Sequence, residues 1–403
     1  MLRLALRNVF RQRTRSALTL AAIMFGVVGL LLSGGFVHDM FDKLAEAIIH
    51  SQTGHVQLAK AGFFTRGFRA PEKYVVPDPQ ALAERIARLP QVADITARVQ
   101  FSGLLNNGRT NLSIHAEGIE PGKEASLATH LIIKEGRSLA DADRFGALLG
   151  EGVARALKLA PGDRIALLTS SVEGAMNTLD FEVVGVFQSL SKDYDARAVK
   201  ISLPAAQELL NTRGANVLVV SLHQTADTTA VASQLRALTA ADDLEVKGWH
   251  ELNDFYPKTV ALYERQFGVL QLIILVLVLL SVVNSVNMSL FERVGEFGTM
   301  RVLGDTSRRV CAVLIAEGLA LGVAGSALGI VLGVAVALGI SAVGIPMPPP
   351  PNSNLGYVAE IRLVPAVVAA AFFTGVAATI LASILPAVRA SRMPIAEALK
   401  QNV

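Results

Sequence analysis

The residues best placed to do directed chemistry sit in one short segment, FERVGEFGTMRVLGDTSRRV (Phe291 to Val310), between two apolar runs. Its four arginines lie within reach of both runs, and arginine at a bilayer boundary marks the cytoplasmic side. Read as a helix, it puts Arg293, Phe297, Met300, Arg301 and Gly304 on one broad side and Glu292, Glu296 and Thr299 on another. Guanidinium forks that grip carboxylates, beside a methionine and an aromatic, suit the core of a protein interface. They suit equally a helix lying on anionic headgroups, and the residues alone leave the two readings level.

Other chemistry is sparse. The seven histidines form no H-E-x-x-H or other metal spacing, and no G-x-S-x-G elbow or paired-carboxylate constellation stands out, so neither a catalytic residue nor a metal is expected. No G-x-x-x-x-G-K-[ST] loop occurs, so ATP has no usual seat in this chain. Cys311 is the only cysteine, which excludes an intrachain disulfide or a thiolate cluster. Glu317 is a lone carboxylate inside an apolar run, where a structural hydrogen bond explains it better than a proton relay. The net charge of +3 comes mainly from boundary arginines, and no basic helix with interleaved aromatics points to nucleic acid. In GFFTRGFRAPEKY, Phe63, Phe64, Phe68 and Tyr74 either present aromatics to a lipid or partner or tuck beneath the domain as a satellite core.

The elements around these residues read as membrane with a soluble middle: hydrophobic residues make up 52% of the chain and charged ones 18%. Gln271 to Leu290 carries no charge and, at 1.5 Å per residue, is about long enough for a hydrocarbon core of roughly 30 Å. Ser281, Asn284, Ser285 and Asn287 within it are too polar for lipid and should face another helix. Beyond the charged segment, Gly318, Gly322, Gly325, Gly329 and Gly333 repeat G-x-x-x-G spacing, which permits close contact within the bundle or between copies. Ser16 to Val37 follows five arginines and exceeds the roughly 7 to 15 residues of a signal-peptide core, so it reads as an uncleaved span. Leu363 to Val388 supplies a fourth span, trailed by Arg389, Arg392 and Lys400, which puts both termini on the cytoplasmic side. Ile345 to Tyr357 (IPMPPPPNSNLGY) reads as an extended outer loop.

From His38 to about Leu262 the pattern changes to short strands, helices and turn dipeptides. Gly54 to Lys60, Asn216 to Leu222 and Leu244 to Lys247 read as strands, Pro79 to Leu89 and Asp227 to Leu238 as helices. Ala97 to Leu105 and Arg109 to Gly118 flank Asn106-Asn107-Gly108 as a hairpin. Two β-α-β pieces, 40–118 and 215–250, thus bracket a β-rich insert, 119–214. The expected division of the whole chain is 1–37 for an amphipathic start and first span, 38–262 for the outer domain, and 263–290 for a stalk end and second span. It continues with 291–309 for the elbow, 310–343 for the third span, 344–362 for the outer loop, 363–388 for the fourth span and 389–403 for the tail. The stalk would pass displacement along a continuous helix, with Pro257 as its one interruption.

The segment E-R-V-G-E-F-G-T-M-R-V-L-G resembles the signature E-R-x-x-E-I-G-x-x-R-A-x-G of FtsX-like, MacB-type permeases, the membrane subunits of a class of ABC transporters. It departs at Phe297, Val302 and Asp305. The start, with Arg7, Asn8, Arg11 and Arg15, and the ending P-A-V-R-A-S-R-M-P-I-A-E-A-L-K are similar to the same family. So is G-E-x-x-A-x-x-L-x-L-x-x-G-D-x-I from Gly150 through Ile165. The resemblance implies an α-helical membrane protein with four transmembrane helices and a large α+β extracytoplasmic domain, a porter-like subdomain interrupted by a mainly β one. It implies that the elbow is a coupling helix, built from Arg293, Glu296, Phe297, Gly298, Met300, Arg301 and Gly304. That helix would dock on a separate ABC ATP-binding subunit, which would bring ATP and Mg. Phe297 and Met300 would fill a groove there, and Arg293 and Arg301 would pair with acidic groups at its rim.

Further expectations are a bacterial inner membrane and a second permease copy, a homodimer before a heterodimer, held through the polar second-span residues together with Gly325 and Gly329. A periplasmic carrier or adaptor is a further expected partner. The layout is similar to lipoprotein-releasing permeases of the LolC and LolE kind, which implies extraction of a lipoprotein or lipid-like cargo by mechanotransmission. The alternatives are MacB-like efflux of a hydrophobic drug or peptide and FtsX-like control of a periplasmic hydrolase.

Overall fold

A computed structural model describes residues 13–67, 71–127, 129–253, 255–349, 354 and 356–391, so the motif at Arg7, Asn8 and Arg11 and the tail from Arg392 lie outside the described residues. The chain forms two compact units, one comprising Met1–Phe41, Thr259–Pro346 and Val358–Val403, the other Asp42–Lys258 and Met347–Tyr357. Among the described residues, four helices are long and apolar enough to cross a membrane: Arg13–Ile48, Phe255–Glu292, Ser307–Val343 and Pro365–Ser391, here the first to fourth spans. The first runs well past Val37, because FVHDMFDKLAEAI contains neither Gly nor Pro to stop it. Pro257 falls in the first turn of the second, where its missing N–H forfeits no intrahelical bond.

Small residues set the helix packing. A Cβ at Gly318 would stand 2.1 Å from Ser383 Oγ, and one at Gly322 would stand 3.0 Å from Thr379 Cβ, so these two glycines seat the fourth span. A Cβ at Gly325 would lie 2.9 Å from Ile23 Cβ and one at Gly329 2.8 Å from Val27 Cβ, so these seat the first span, with Gly333 facing Leu31. The expectation that Gly325 and Gly329 serve a second copy is therefore corrected. The spacing identifies a close contact but cannot say whose helix makes it. Ser285 shares a hydrogen bond with Thr19 of the first span. Ser281 and Asn284 point outward, and Asn287 is half-buried.

The outer domain is built on ten strands: β1 (Val56–Lys60), β2 (Val92–Asn106), β3 (Asn111–Ile119), β4 (Ile132–Gly136), β5 (Gly146–Gly150), β6 (Arg164–Ser170), β7 (Met176–Gln188), β8 (Ala198–Ser202), β9 (Val217–Leu222) and β10 (Leu244–Gly248). Their order is β10-β1-β9-β2-β3-β8-β5-β7-β4, with β6 bridging β2 and β7. The long strand β2 serves both halves: Val92 to Arg98 pairs with β9, and Val99 to Asn106 pairs with β3. Strand β3 then runs parallel to β8. The hairpin assigned to the porter-like piece ending at 118 thus belongs with the insert, and the division falls inside β2. Local spacing reveals a hairpin but not the strand it will lie beside. One core gathers Leu58, Ile86, Ile95, Val220 and Leu235, and the other Phe101, Ile114, Leu149, Phe181 and Ile201.

Phe63 is fully buried against Ala59, Leu127, Val217 and Val219. Phe64 and Tyr74 meet its ring edge-on at 5.6 and 6.0 Å, and Lys247 Nζ stands 5.2 Å over Phe64. This stretch is a satellite core, which corrects the presented-loop alternative; Phe68 lies outside the described residues. In the outer loop, Ile345–Met347 pairs with Tyr357–Ala359, and Asn354 donates to Asp195 Oδ2 at 2.6 Å.

Candidate functional site

The second span stops at Glu292 because Arg293 leaves helical geometry (φ −114°, ψ 11°), and a separate helix, Val294–Val302, begins at once. Its far end is closed by local chemistry. Gly304 N–H donates to Arg301 O at 3.2 Å and Asp305 N–H to Met300 O at 3.0 Å, the two bonds of a left-handed cap in which Gly304 takes φ +98°. Asp305, one of the three departures from the family pattern, pairs with Arg309 at 2.8 Å as the third span starts.

Arg293 ties three elements at one side chain. Its Nε donates to Glu296 Oε2 at 2.9 Å, and its Nη1 donates to both carboxylate oxygens of Glu317, at 2.9 and 3.1 Å. The Arg293 and Glu317 side chains are each only 12% exposed. Burial alone would favour the neutral guanidine, but Glu317 and Glu296 more than offset it and hold the Arg293 pKa above its ordinary value. Nε and Nη1 are engaged within the chain, so this geometry does not support the expectation that Arg293 pairs with acidic groups of another protein.

Met300 is corrected too. It is half-buried against Leu290, Val310, Leu314 and Ala387, and so helps to seat the elbow on its own spans. Val294 and Gly298 are buried beside it, Arg301 is half-buried, and Thr299 Oγ1 donates back to Gly295 O at 2.8 Å. The side chain of Phe297 lies outside the described residues. The helical wheel grouped Arg293, Met300 and Arg301 on one side; in Arg293 and Met300 that side meets this chain.

Of the outward residues, Glu296 was expected, whereas Phe291, Val302 and Leu303 were missed. Glu296 is exposed, Val302 is 59% exposed and Leu303 is 82% exposed, while Phe291 at the end of the second span is 67% exposed. The available signal was an apolar pair directly before the cap glycine, a place where burial is not required by the helix itself. Covering Val302 and Leu303 would gain at most about 1.5 to 3 kcal/mol each. Among the described residues, no group of three or more His, Cys, Asp or Glu could hold a metal ion.

Comparison with known proteins matches both parts of the chain. Residues 16–238 match the MacB-like periplasmic core domain, and residues 268–395 match the FtsX-like permease C-terminal family. The lipoprotein-releasing system transmembrane protein LolE of Haemophilus influenzae is 22% identical, over 78% of this chain and 74% of its own length. An uncharacterised ABC transporter permease of Methanocaldococcus jannaschii is 22% identical over 83% of this chain and 82% of its own. The periplasmic region of MacB from Actinobacillus actinomycetemcomitans aligns with a TM-score of 0.36 and 15% identity, over 54% of this chain and 98% of that one. With a four-helix membrane part, a mixed α/β domain and matches across both, the chain belongs to the FtsX-like, MacB-type family of ABC transporter permeases, with LolC- and LolE-type proteins among its relatives.

Proposed function

We propose that this permease works in a bacterial inner membrane as one of two identical copies, each carrying an ABC ATP-binding subunit on its Val294–Val302 helix. ATP-driven closure of those subunits moves the outer domains and extracts a lipoprotein or lipid-like molecule from the bilayer. The observation that carries this reading is the build of the elbow: its basic hinge residue is consumed internally, while Val302 and Leu303 are left uncovered at its end.

Two features support the finer parts. Leu277, Ser281, Asn284 and Met288 lie at helical spacing and are exposed along the second span; a second copy would satisfy the polar pair that lipid cannot. A cavity of about 270 Å³ between the first, second and fourth spans sets His38, Glu264, Gln271 and Thr374 beside Leu30 and Phe267, a mixed lining suited to part of an amphiphile. The LolC and LolE relatives are named for lipoprotein release.

The test is reconstitution of the permease with its ATP-binding subunit in vesicles holding a labelled acylated lipoprotein. ATP-dependent appearance of that lipoprotein on a soluble acceptor is expected. Export of a hydrophobic dye without lipoprotein release would shift the assignment to MacB-like efflux. Stimulation of a wall hydrolase with no movement of either cargo would shift it to FtsX-like regulation.

A further inference from the structure

We infer that Glu317 is a positioning residue of the transmission path: by gripping Arg293 it locks the elbow to the third span, so that load applied at the elbow enters two spans rather than one. This rests on the docking reading above. The only covalent link from elbow to second span passes through Arg293, whose backbone has already left the helix. A lone non-helical residue bends easily, and a push on Leu303 would be lost there unless something braced it. The brace is the two-oxygen grip of Glu317 on Nη1, supplemented by Glu296 on Nε.

The path continues from Glu317 without a gap. The next residue, Gly318, lies against Ser383 of the fourth span so closely that a Cβ would stand 2.1 Å from its hydroxyl. Four residues on, Gly322 seats Thr379 of the same helix. Below Glu317, Met300 joins Val310 and Leu314 in one apolar cluster with Ala387. Elbow, third span and fourth span therefore form one packed block, with the ion pair as a buried charged joint within it. A proton relay at Glu317 is the competing role, and it would require the carboxylate to leave a partner that engages both of its oxygens.

The experiment uses the full chain co-expressed with its ATP-binding subunit in lipid nanodiscs. It compares Glu317→Gln, Arg293→Lys and the exchanged pair Arg293→Glu with Glu317→Arg. Three quantities are read: ATP-binding subunit retained per permease, stimulation of its ATP turnover by the permease, and thermal stability. For Glu317→Gln, retention should match the parent while stimulation falls by about tenfold, within the usual range of coupling between sites. The exchanged pair should restore a substantial part of it. Parent-like stimulation in a folded, subunit-bound Glu317→Gln overturns the assignment, as does an exchanged pair that folds and binds yet stays silent. If every variant fails to fold, the pair is a folding element and the positioning role is wrong. If the unsubstituted chain itself retains no ATP-binding subunit, the docking reading fails instead, which separates the two.

Discussion

Arg98 Nη2 and Glu124 Oε1 stand 2.8 Å apart inside the outer domain, their side chains 2% and 6% exposed. Lys200 Nζ lies 2.8 Å from the same oxygen and 3.4 Å from Glu117 Oε2, and Arg98 Nη1 donates to Gln52 O at 2.6 Å. Arg98 sits where β2 passes from β9 to β3, Lys200 lies on β8 and Glu117 on β3. Two cations and two carboxylates thus neutralise one another where the porter-like half meets the insert.

Removing one member should strand the rest. Arg98→Met is expected to destabilise the chain by about 3 to 5 kcal/mol, read from denaturant unfolding in detergent. Burial would raise the Glu124 pKa, but Arg98 and Lys200 prevail and lower it from 4.5 to about 2. A depressed carboxylate contributes fully above its unfolded pKa and loses that contribution as pH falls from 4.5 to about 2. The parent's contribution from Glu124 should therefore be flat from about pH 5 to 8, whereas in Arg98→Met the stranded carboxylates favour protonation, so the loss should shrink as pH falls through that range. A loss that grows as pH falls across that range would contradict this origin.

His55 acts with the same sign but at milder acidity. Burial, then His50, lower its pKa from 6.5 to about 4 against the pull of Glu46. Its Nδ1 accepts from Leu222 N–H at 3.3 Å and its Nε2 lies 3.2 Å from Thr225 Oγ1, which suits the neutral ring. As pH falls from 6.5 to 4 the unfolded chain takes the proton first, so folding stability declines, by on the order of 3 kcal/mol at most. His55→Asn should flatten the stability profile over that window, whatever it does to the absolute value. An unchanged slope would assign the acid response to other groups.

The sequence made some of this legible because the causes were local. The apolar spans announced themselves by length, whereas Gly304, read as part of the coupling face, is the left-handed cap that ends the elbow helix, a position that favours glycine. Arg293 with Glu317 was not legible: the two are 24 positions apart and meet only once the second and third spans lie side by side. Lys200 and Glu124, 76 positions apart, are hidden for the same reason. Met300 misled and Phe63 was left between two readings, because an aromatic or methionine among charges looks the same whether its partner is another protein or its own chain.

Substitutions at the glycine stripe should damage the bundle before they damage any dimer. Gly325→Leu with Gly329→Leu forces side chains into Ile23 and Val27, an overpacking cost of about 1 to 3 kcal/mol per site. Thermal stability of the permease in detergent should fall, whereas Asn284→Leu, on the exposed face, should alter dimer mass by light scattering and leave thermal stability nearly unchanged. A double glycine variant as stable as the parent would refute this packing.

The account turns on whether Val302 and Leu303, rather than the Met300 side of the elbow, receive the ATP-binding subunit. Co-purification of that subunit with Val302→Asp/Leu303→Asp, set beside the parent chain, measures this directly. Truncating or charging a buried anchor commonly costs about 2 kcal/mol or more, so binding should weaken at least about thirtyfold while the permease keeps its fold and thermal stability. Undiminished recovery of the ATP-binding subunit on the folded double variant would contradict the account.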